Sequence, residues 1–166
     1  MAVVVTSAAA VTGWLLLDDG RDDDGTVTEG AVAEVCPTPE GAAWTALTTT
    51  LYDGDFIEDR WSLLLRGGGY RPLADGDGWE VVLRPRLVNR GDVAVSHRNI
   101  YRFVVDNVAA EPTCFQVQSG PEIIGPGQIS DALVGFKVDQ EPLGTTALDA
   151  DDGGQHMRVP VSVSAT

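Results

Sequence analysis

The sequence predicts an all-β fold, a two-sheet sandwich of about eight strands preceded by a hydrophobic segment that we expect to be helical. Two observations predict the sandwich. Short apolar alternations broken by turn residues follow residue 26, and no long amphipathic helical pattern occurs beyond that point. The length of 166 residues suits one domain with an ordinary core. We divide the chain into residues 1–25, an anchor or assembly segment with an acidic linker, and residues 26–166, the sandwich domain.

The first element, residues 2–17, is uncharged and ends abruptly at Asp18 and Asp19. As a helix it would span about 24 Å, short of the roughly 30 Å hydrocarbon core of a membrane. Four interpretations stay open: a helix in a membrane or filament core, a cleaved signal peptide without a positive n-region, a strand donated to a neighbour, or the sandwich's own first strand. As an anchor or assembly element, its contact residues would be Val3, Val4, Val5, Val11, Trp14, Leu15, Leu16 and Leu17.

Eight candidate strands follow the linker. They cover residues 26–35, 44–52, 60–65, 79–89, 99–105, 114–118, 129–138 and 157–165. Turn chemistry separates them, most clearly at Gly67-Gly68-Gly69, Asp75-Gly76-Asp77-Gly78, Arg90-Gly91-Asp92 and Gly125-Pro126-Gly127. Because side chains alternate between the two faces of a strand, Tyr101, Phe103 and Val105 are predicted to face the core.

Acidic residues dominate the charge, since 25 Asp and Glu oppose 11 Lys and Arg and give a formal net charge of −14. This balance argues against a nucleic-acid partner, because phosphate backbones are bound through clustered Lys and Arg. The composition is similar to that of salt-adapted proteins from halophiles. In such proteins, hydrated surface carboxylates maintain solubility while concentrated salt screens their mutual repulsion. We therefore favour a halophilic chain over an ordinary acidic surface protein.

The two cysteines, Cys36 and Cys114, are too few for a structural zinc site unless His97 and His156 joined them, and their spacing disfavours that set. We predict one disulfide, with two buried free thiols as the alternative. A bridge that closes a loop this long would stabilise the fold by about 4 kcal/mol in the chain-entropy model. Disulfides persist in oxidising compartments, so an extracellular or cell-surface location is expected.

No catalytic or cofactor-binding site is predicted, because motifs such as G-x-S-x-G and H-E-x-x-H are missing from the sequence. Asp75 and Asp77 are weak calcium candidates: they lie in an Asp-Gly turn but lack the regular spacing of a calcium loop. A solvated acidic turn is favoured for them. Arg90-Gly91-Asp92 spells a tripeptide of cell-adhesion ligands, yet ordinary hairpin chemistry explains it.

The order of turns and strands between Val81 and Val138 resembles the immunoglobulin-like domains of prokaryotic surface proteins. The features that carry the resemblance are Asn89-Arg90-Gly91-Asp92, the strand from Ile100 that closes with Asp106-Asn107, and Gly125-Pro126-Gly127 before Ala132-Leu133-Val134-Gly135-Phe136. The resemblance covers about a third of the chain and implies an immunoglobulin-like sandwich. With the apolar segment included, the layout is similar to archaeal type IV pilin-like and archaellum-associated subunits, although no prepilin cleavage motif precedes the segment.

We expect a non-enzymatic structural or adhesive protein, displayed at a cell or virion surface, that needs no cofactor. Its partners would be further copies of itself or other surface or virion proteins, with membrane contact through residues 2–17. The alternative is a secreted or membrane-anchored binding module that recognises a protein, glycan or ion through its loops. An exposed apolar patch would favour assembly, and a concave site with converging carboxylates would favour binding.

Overall fold

Strands are the regular elements of the protein in the computed structural model, which describes residues 35–48, 60–154 and 156–163. No helix within those ranges is long and apolar enough to cross a membrane. The described strands are β1 (Thr45–Thr48), β2 (Trp61–Pro72), β3 (Trp79–Asn89), β4 (Val95–Ser96), β5 (Tyr101–Val105), β6 (Val108–Ala110), β7 (Pro112–Ser119), β8 (Ile123–Ile124), β9 (Ile129–Val138), β10 (Thr146–Asp151) and β11 (His156–Val163).

Nine of these strands form one nearly closed antiparallel sheet in the order β6-β5-β10-β11-β1-β2-β3-β9-β7, and β4 pairs with β8 separately. We call β1, β2, β3, β9 and β7 the first wall, and β6, β5, β10 and β11 the second wall. The walls are joined where β11, after pairing with β10, continues beside β1. On the open side, the chain passes from β6 to β7 through Glu111 alone.

The inner faces of the two walls enclose the main core. Phe103 from the second wall contacts Phe136 from the first, with ring centroids 5.6 Å apart. Tyr101, Phe103 and Val105 are buried in this core as the alternation predicted, while the intervening Arg102 is half-exposed. The burial of these large apolar side chains is the main contribution that holds the walls together.

The sequence predicted the all-β class correctly, and it also placed β3 and β9 at their observed bounds. The predicted turn at Gly125-Pro126-Gly127 is also confirmed. Arg90-Gly91-Asp92 lies in a loop between strands, but not in a hairpin, because β3 pairs with β2 and β9 whereas β4 pairs with β8. Residues 1–25, and with them the expected N-terminal helix, lie outside the described residues. Most of the candidate strand 26–35 lies there too, and its last residue, Val35, belongs to no strand.

Gly67-Gly68-Gly69 is a correction, because these residues lie inside β2 rather than in a turn. The ladder between β2 and β3 shifts register between Leu65 and Gly68, so Arg66 and Gly67 form a bulge, while Gly68 and Gly69 are paired with Leu83 and Val82 of β3. A side chain at Gly68 would collide with the carbonyl of Val82. The triplet therefore allows a close backbone approach, which explains why a sequence typical of a turn continues a strand.

Candidate attachment and binding sites

Residues 35–44 lie across the outer face of the first wall, and we call this segment the strap. The predicted disulfide between Cys36 and Cys114 is present and joins the strap to β7, with the two Cα atoms 5.3 Å apart. Val82 of β3 and Leu133 of β9 pack around the bridge as a second buried cluster, separate from the main core. The strap thus gives the first wall a small core on its outer side.

Polar and aromatic contacts hold the rest of the strap. Glu40 forms an ion pair with Arg84 of β3, with 2.6 Å between carboxylate and guanidinium. Trp44, at the end of the strap, packs under the guanidinium of Arg71, whose Cζ lies 4.5 Å from the ring centroid. These contacts lead directly into β1, so the strap connects everything before Val35 to the sheet.

Glycine makes room for the strap at two places on the wall. A Cβ on Gly135 of β9 would strike the Sγ of Cys114, which lies opposite it in the ladder. A Cβ on Gly69 of β2 would come within 3.2 Å of both Pro39 and Trp44. Both glycines are positions where the close approach of another segment excludes a side chain.

The second candidate site is formed by the turns at one end of the nine-stranded sheet, around Asn89, Ile124 and Asp152, which we call the loop end. Asn89 is fully buried and organises it. Its Nδ2 donates to the carbonyls of Val93 and Ile124, both at 2.8 Å, and its Oδ1 accepts from the amide of Gly91. Its backbone amide donates to the carbonyl of Gln128. The side chain of Asn89 therefore fixes the loop after β3 and ties it to β8, while its backbone amide holds the loop that precedes β9.

Exposed apolar side chains lie on the surface around Asn89. Val93, Ile123 and Ile129 are about half to two-thirds exposed. The carbonyl of Val93 accepts a hydrogen bond from Asn89, and Ile123 and Ile129 are adjacent in sequence to Ile124 and Gln128, whose carbonyls do the same. A rigid loop cluster with exposed apolar residues is the kind of surface that proteins use for recognition.

A cleft of about 450 Å³ opens beside Asn89, between the loops that follow β3, β4 and β10. Asp92, Asp151 and Asp152 line it together with Arg60 and Asn99. Asn99 has a left-handed backbone with φ of 66°, unusual for a residue other than glycine. The Oδ2 of Asp152 accepts from the indole of Trp61 at 2.8 Å, which anchors the rim of the cleft to the core. Carboxylates from distant parts of the chain thus line the same cleft.

His97 is a buried polar group that connects the walls near the loop end. Its Nδ1 lies 3.1 Å from the Oγ of Ser130, whose hydroxyl donates to the carbonyl of Ser119. Because the hydroxyl has a single proton, this arrangement assigns the imidazole proton to Nδ1. The ring contacts Tyr101 and Phe115 edge-on.

This environment governs the ionisation of His97. Burial lowers the pKa of the imidazole to about 4, although the charge of nearby Asp131 works in the opposite direction. A hydrogen bond from Arg86 lowers the pKa of Asp131 itself. Within the described residues, His97 Nε2 and the hydroxyl of Tyr101 are the buried side-chain polar atoms with no hydrogen-bond partner. The imidazole is therefore neutral at pH 7, as a component of the core.

The calcium candidates are engaged in local contacts. The Oδ1 of Asp75 accepts from the amide of Asp77 at 3.1 Å, and Asp77 contacts Lys137 at 3.4 Å. No group of three or more His, Cys, Asp or Glu suited to a metal ion occurs in the part of the chain that the structure describes. The predicted anchor residues between Val3 and Leu17 lie outside the described residues.

The sequence did not indicate the strap or the role of Asn89. The strap has no regular alternation, and Pro37 and Pro39 lack the amide donors of a strand. Asn89 was recognised as part of a turn, since Asn commonly bonds to the backbone two residues on, as it does to Gly91 here. Its further bonds to distant Ile124 and Gln128 have no sequence signal, because they depend on the fold.

Comparisons with known proteins give one structural likeness and no family. No family model matches the chain, and no curated protein matches it. A solved structure, described as a functionally unknown protein from Listeria monocytogenes EGD-e, is similar over 71% of this chain and 88% of its own. Its sequence identity to this chain is 12%, and its TM-score is 0.44.

Proposed function

We propose that this chain is a non-enzymatic structural or adhesive protein with an immunoglobulin-like head, attached through residues 2–17 to a cell-surface filament, a virion or a membrane. The observation that carries the proposal is the strap, which binds the chain leading from those residues to the head through a disulfide. A covalent fastening at the point of attachment suits a displayed head. The disulfide also supports an extracellular location, because such bridges persist in oxidising compartments.

The edges of the sheet favour assembly through residues 2–17 over assembly by strand pairing between heads. The edge strand β6 has three residues. The other edge strand, β7, begins at Pro112 and shifts register twice against β9. Short, proline-bearing or irregular edges are the devices by which natural sheets prevent pairing with other chains. Contacts between subunits are therefore assigned to the apolar segment.

Deletion of residues 2–17 tests this assignment. We expect the full chain to assemble or to partition into membranes, and the deletion variant to be a monomer by light scattering with an intact disulfide and an unchanged melting temperature. A second variant, with Leu15, Leu16 and Leu17 changed to serine, keeps the chain length and should also lose assembly. If both variants assembled and partitioned like the parent, the proposed function would be wrong.

A second candidate function, a binding module, is favoured by the carboxylate-lined cleft at the loop end. Its ligand would be a protein, a glycan or an ion, recognised through loops that Asn89 holds in place. A glycan array and calcium calorimetry with the full chain test the last two classes. Asp151→Asn is the matched variant, because it keeps the oxygen that accepts from Gly153 and removes the charge. Binding by the parent that the variant loses supports this function, and silence from both probes contradicts a glycan or ion ligand.

Salt adaptation is part of the proposal and rests on the net charge of −14. Dense carboxylates repel one another over about 10 Å at 0.1 M salt and over about 3 Å at 1 M. The melting temperature of the full chain should therefore rise between dilute buffer and molar KCl. An equal or higher melting temperature in dilute buffer would identify the protein as an ordinary acidic one.

A further inference from the structure

The outer face of the first wall carries clustered arginines although the chain as a whole is acidic. Arginines of β2 and β3 outnumber the carboxylates with which they form ion pairs there, namely Arg66, Arg71, Arg84 and Arg86 against Glu40, Glu80 and Asp131. The whole chain, by contrast, has a formal net charge of −14. A local surplus of guanidinium groups in so acidic a protein is a place where an anionic group is attracted.

Arg66 is the arginine that these carboxylates leave incompletely paired. Its ion pair within the described residues is with the Oδ1 of Asp131, at 4.0 Å. Both oxygens of Asp131 already accept from Arg86, at 2.7 and 2.8 Å, and its Oδ2 also accepts from the hydroxyl of Ser119. The side chain of Arg66 is half-exposed, so its guanidinium has N–H donors available for a further carboxylate.

A groove of about 290 Å³ gives access to this guanidinium from solvent. Arg84 also lines the groove and bonds to Glu40 through Nη2, which leaves its other N–H donors for a second acceptor. Thr38, at the opposite rim, belongs to the strap. Two guanidinium groups that line one groove are suited to binding carboxylates, because charge-assisted hydrogen bonds of this type are among the strongest in proteins.

The chain itself supplies a segment with matching charge, residues 18–24, which we call the acidic linker. It contains five Asp and one Arg. It leads to the strap, two of whose residues line the groove, Thr38 and Glu40. The ten residues between Asp24 and Val35 can extend over about 33 Å, whereas the groove reaches from β2 to β9, a distance of about 10 Å. The linker is therefore long enough to reach the groove of its own chain.

We propose that the acidic linker docks in this groove with its carboxylates on Arg66 and Arg84, and that it thereby fixes the direction in which residues 2–17 leave the head. Because groove and linker belong to one chain, the docking is intramolecular and independent of protein concentration. Screening weakens it, since charges interact over about 10 Å at 0.1 M salt and about 3 Å at 1 M. The inference goes beyond the proposed function, because the path of the linker does not depend on what residues 2–17 contact.

Zero-length cross-linking of the full chain tests the docking. Lys137 is the only lysine of the sequence, so Arg66→Lys adds one amine in the groove and keeps the charge. A carbodiimide then joins this amine to carboxylates in contact with it. In dilute buffer we expect mass spectrometry to identify an amide link between position 66 and an Asp of the linker, several times weaker in molar salt. The link between Lys137 and Asp77, which lie 3.4 Å apart, shows that the reaction worked and that the wall is folded.

Arg158→Lys is the matched control, because the side chain of Arg158 on the second wall is as exposed as that of Arg66, 53% against 52%. It should link to Asp149 and leave the linker unmodified. A mixture of ¹⁴N and ¹⁵N protein shows whether each link joins one chain or two. Links from position 66 to Asp131 or Glu40 alone, links between two chains, or equal linker modification from position 158 would each overturn the docking. None of these results depends on whether residues 2–17 mediate assembly, so failure of the docking and failure of the proposed function are distinguishable.

Discussion

The two walls of the sheet differ in what lies on their outer faces. In the first wall, Val81, Val82 and Leu83 of β3 are all fully buried, because the strap and its disulfide cover the side opposite the core. In the second wall, the outer face carries a charged row in which Asp149 of β10 lies between Arg102 of β5 and Arg158 of β11. The outer face of the first wall thus has a second small core that contains the disulfide, whereas the outer face of the second wall has a row of ion pairs exposed to water.

This difference shows how the attachment is built into the sequence. A continuous apolar run such as Val81-Val82-Leu83 is typical of a strand that is buried on both faces. In β5, by contrast, Tyr101-Arg102-Phe103 alternates apolar and polar residues, as a strand with one buried face does. The covered wall is also the wall that receives the chain from residues 2–17. The extra apolar residue in β3 is therefore part of the attachment of the strap as well as part of the sheet.

The largest predicted effect comes from removing the disulfide that joins the strap to the first wall. Cys36→Ala with Cys114→Ala should lower the free energy of unfolding by about 4 kcal/mol, because the unfolded chain regains the entropy of a 78-residue loop. Urea denaturation of the oxidised parent and the double variant measures the change. Reduction of the parent should give the same loss.

A double-mutant cycle with Gly135→Ala tests whether the disulfide constrains β9. In the oxidised parent, the added Cβ collides with the Sγ of Cys114, so the substitution should be strongly destabilising. In the background without cysteines, the collision is removed and most of the cost should vanish. Equal costs in the two backgrounds would show that the close approach of the strap does not constrain β9.

The sequence predicted the strands that follow ordinary patterns and missed what depends on tertiary contact. The bounds of β3 and β9 were correct because dense apolar residues end at clear turn chemistry. Strand β10 was missed because Thr146-Ala147-Leu148-Asp149-Ala150-Asp151 is rich in residues that are rare in strands. The cleft was missed because Asp92 and Asp151 come to line the same cleft only through the packing of the folded chain. The cysteines were paired correctly, but the wall they fasten was not predictable from spacing.

The next effect concerns His97, which connects the two walls near the loop end. Its pKa is about 4 in the folded protein and 6.5 in the unfolded reference. Above pH 6.5 the imidazole is neutral in both states, so the protonation of His97 does not reduce the free energy of unfolding. As the pH falls from 6.5 to 4, the unfolded chain binds a proton that the folded protein does not. The free energy of unfolding should therefore drop by about 3 kcal/mol over this window.

His97→Phe should remove most of this acid dependence, because the aromatic contacts with Tyr101 and Phe115 remain while the titrating group is lost. Denaturant curves at pH 7 and pH 4.5 provide the comparison. His156→Gln is the matched control, since His156 is exposed and should leave the slope in place. The pKa values of Asp131 and Asp149 lie below 3.8, so the stability that these carboxylates contribute is lost only at lower pH. A variant at His97 that kept the full slope would assign the acid response to other groups.

The smallest predicted effect separates the contributions of the two interactions that hold the strap, the disulfide and the ion pair of Glu40 with Arg84. Arg84→Gln removes the ion pair with Glu40 but leaves the disulfide, and both side chains are substantially exposed. Such pairs contribute about 0.5 kcal/mol, and screening at 1 M salt should reduce that further. Denaturation at 0.1 M and 1 M salt measures it, with Lys137→Gln, whose partner Asp77 lies away from the strap, as the control. A loss approaching that of the cysteine variant would mean that charge holds the strap. The expected small loss leaves the covalent bridge as the fastener, a bond whose strength does not depend on the salt around the protein.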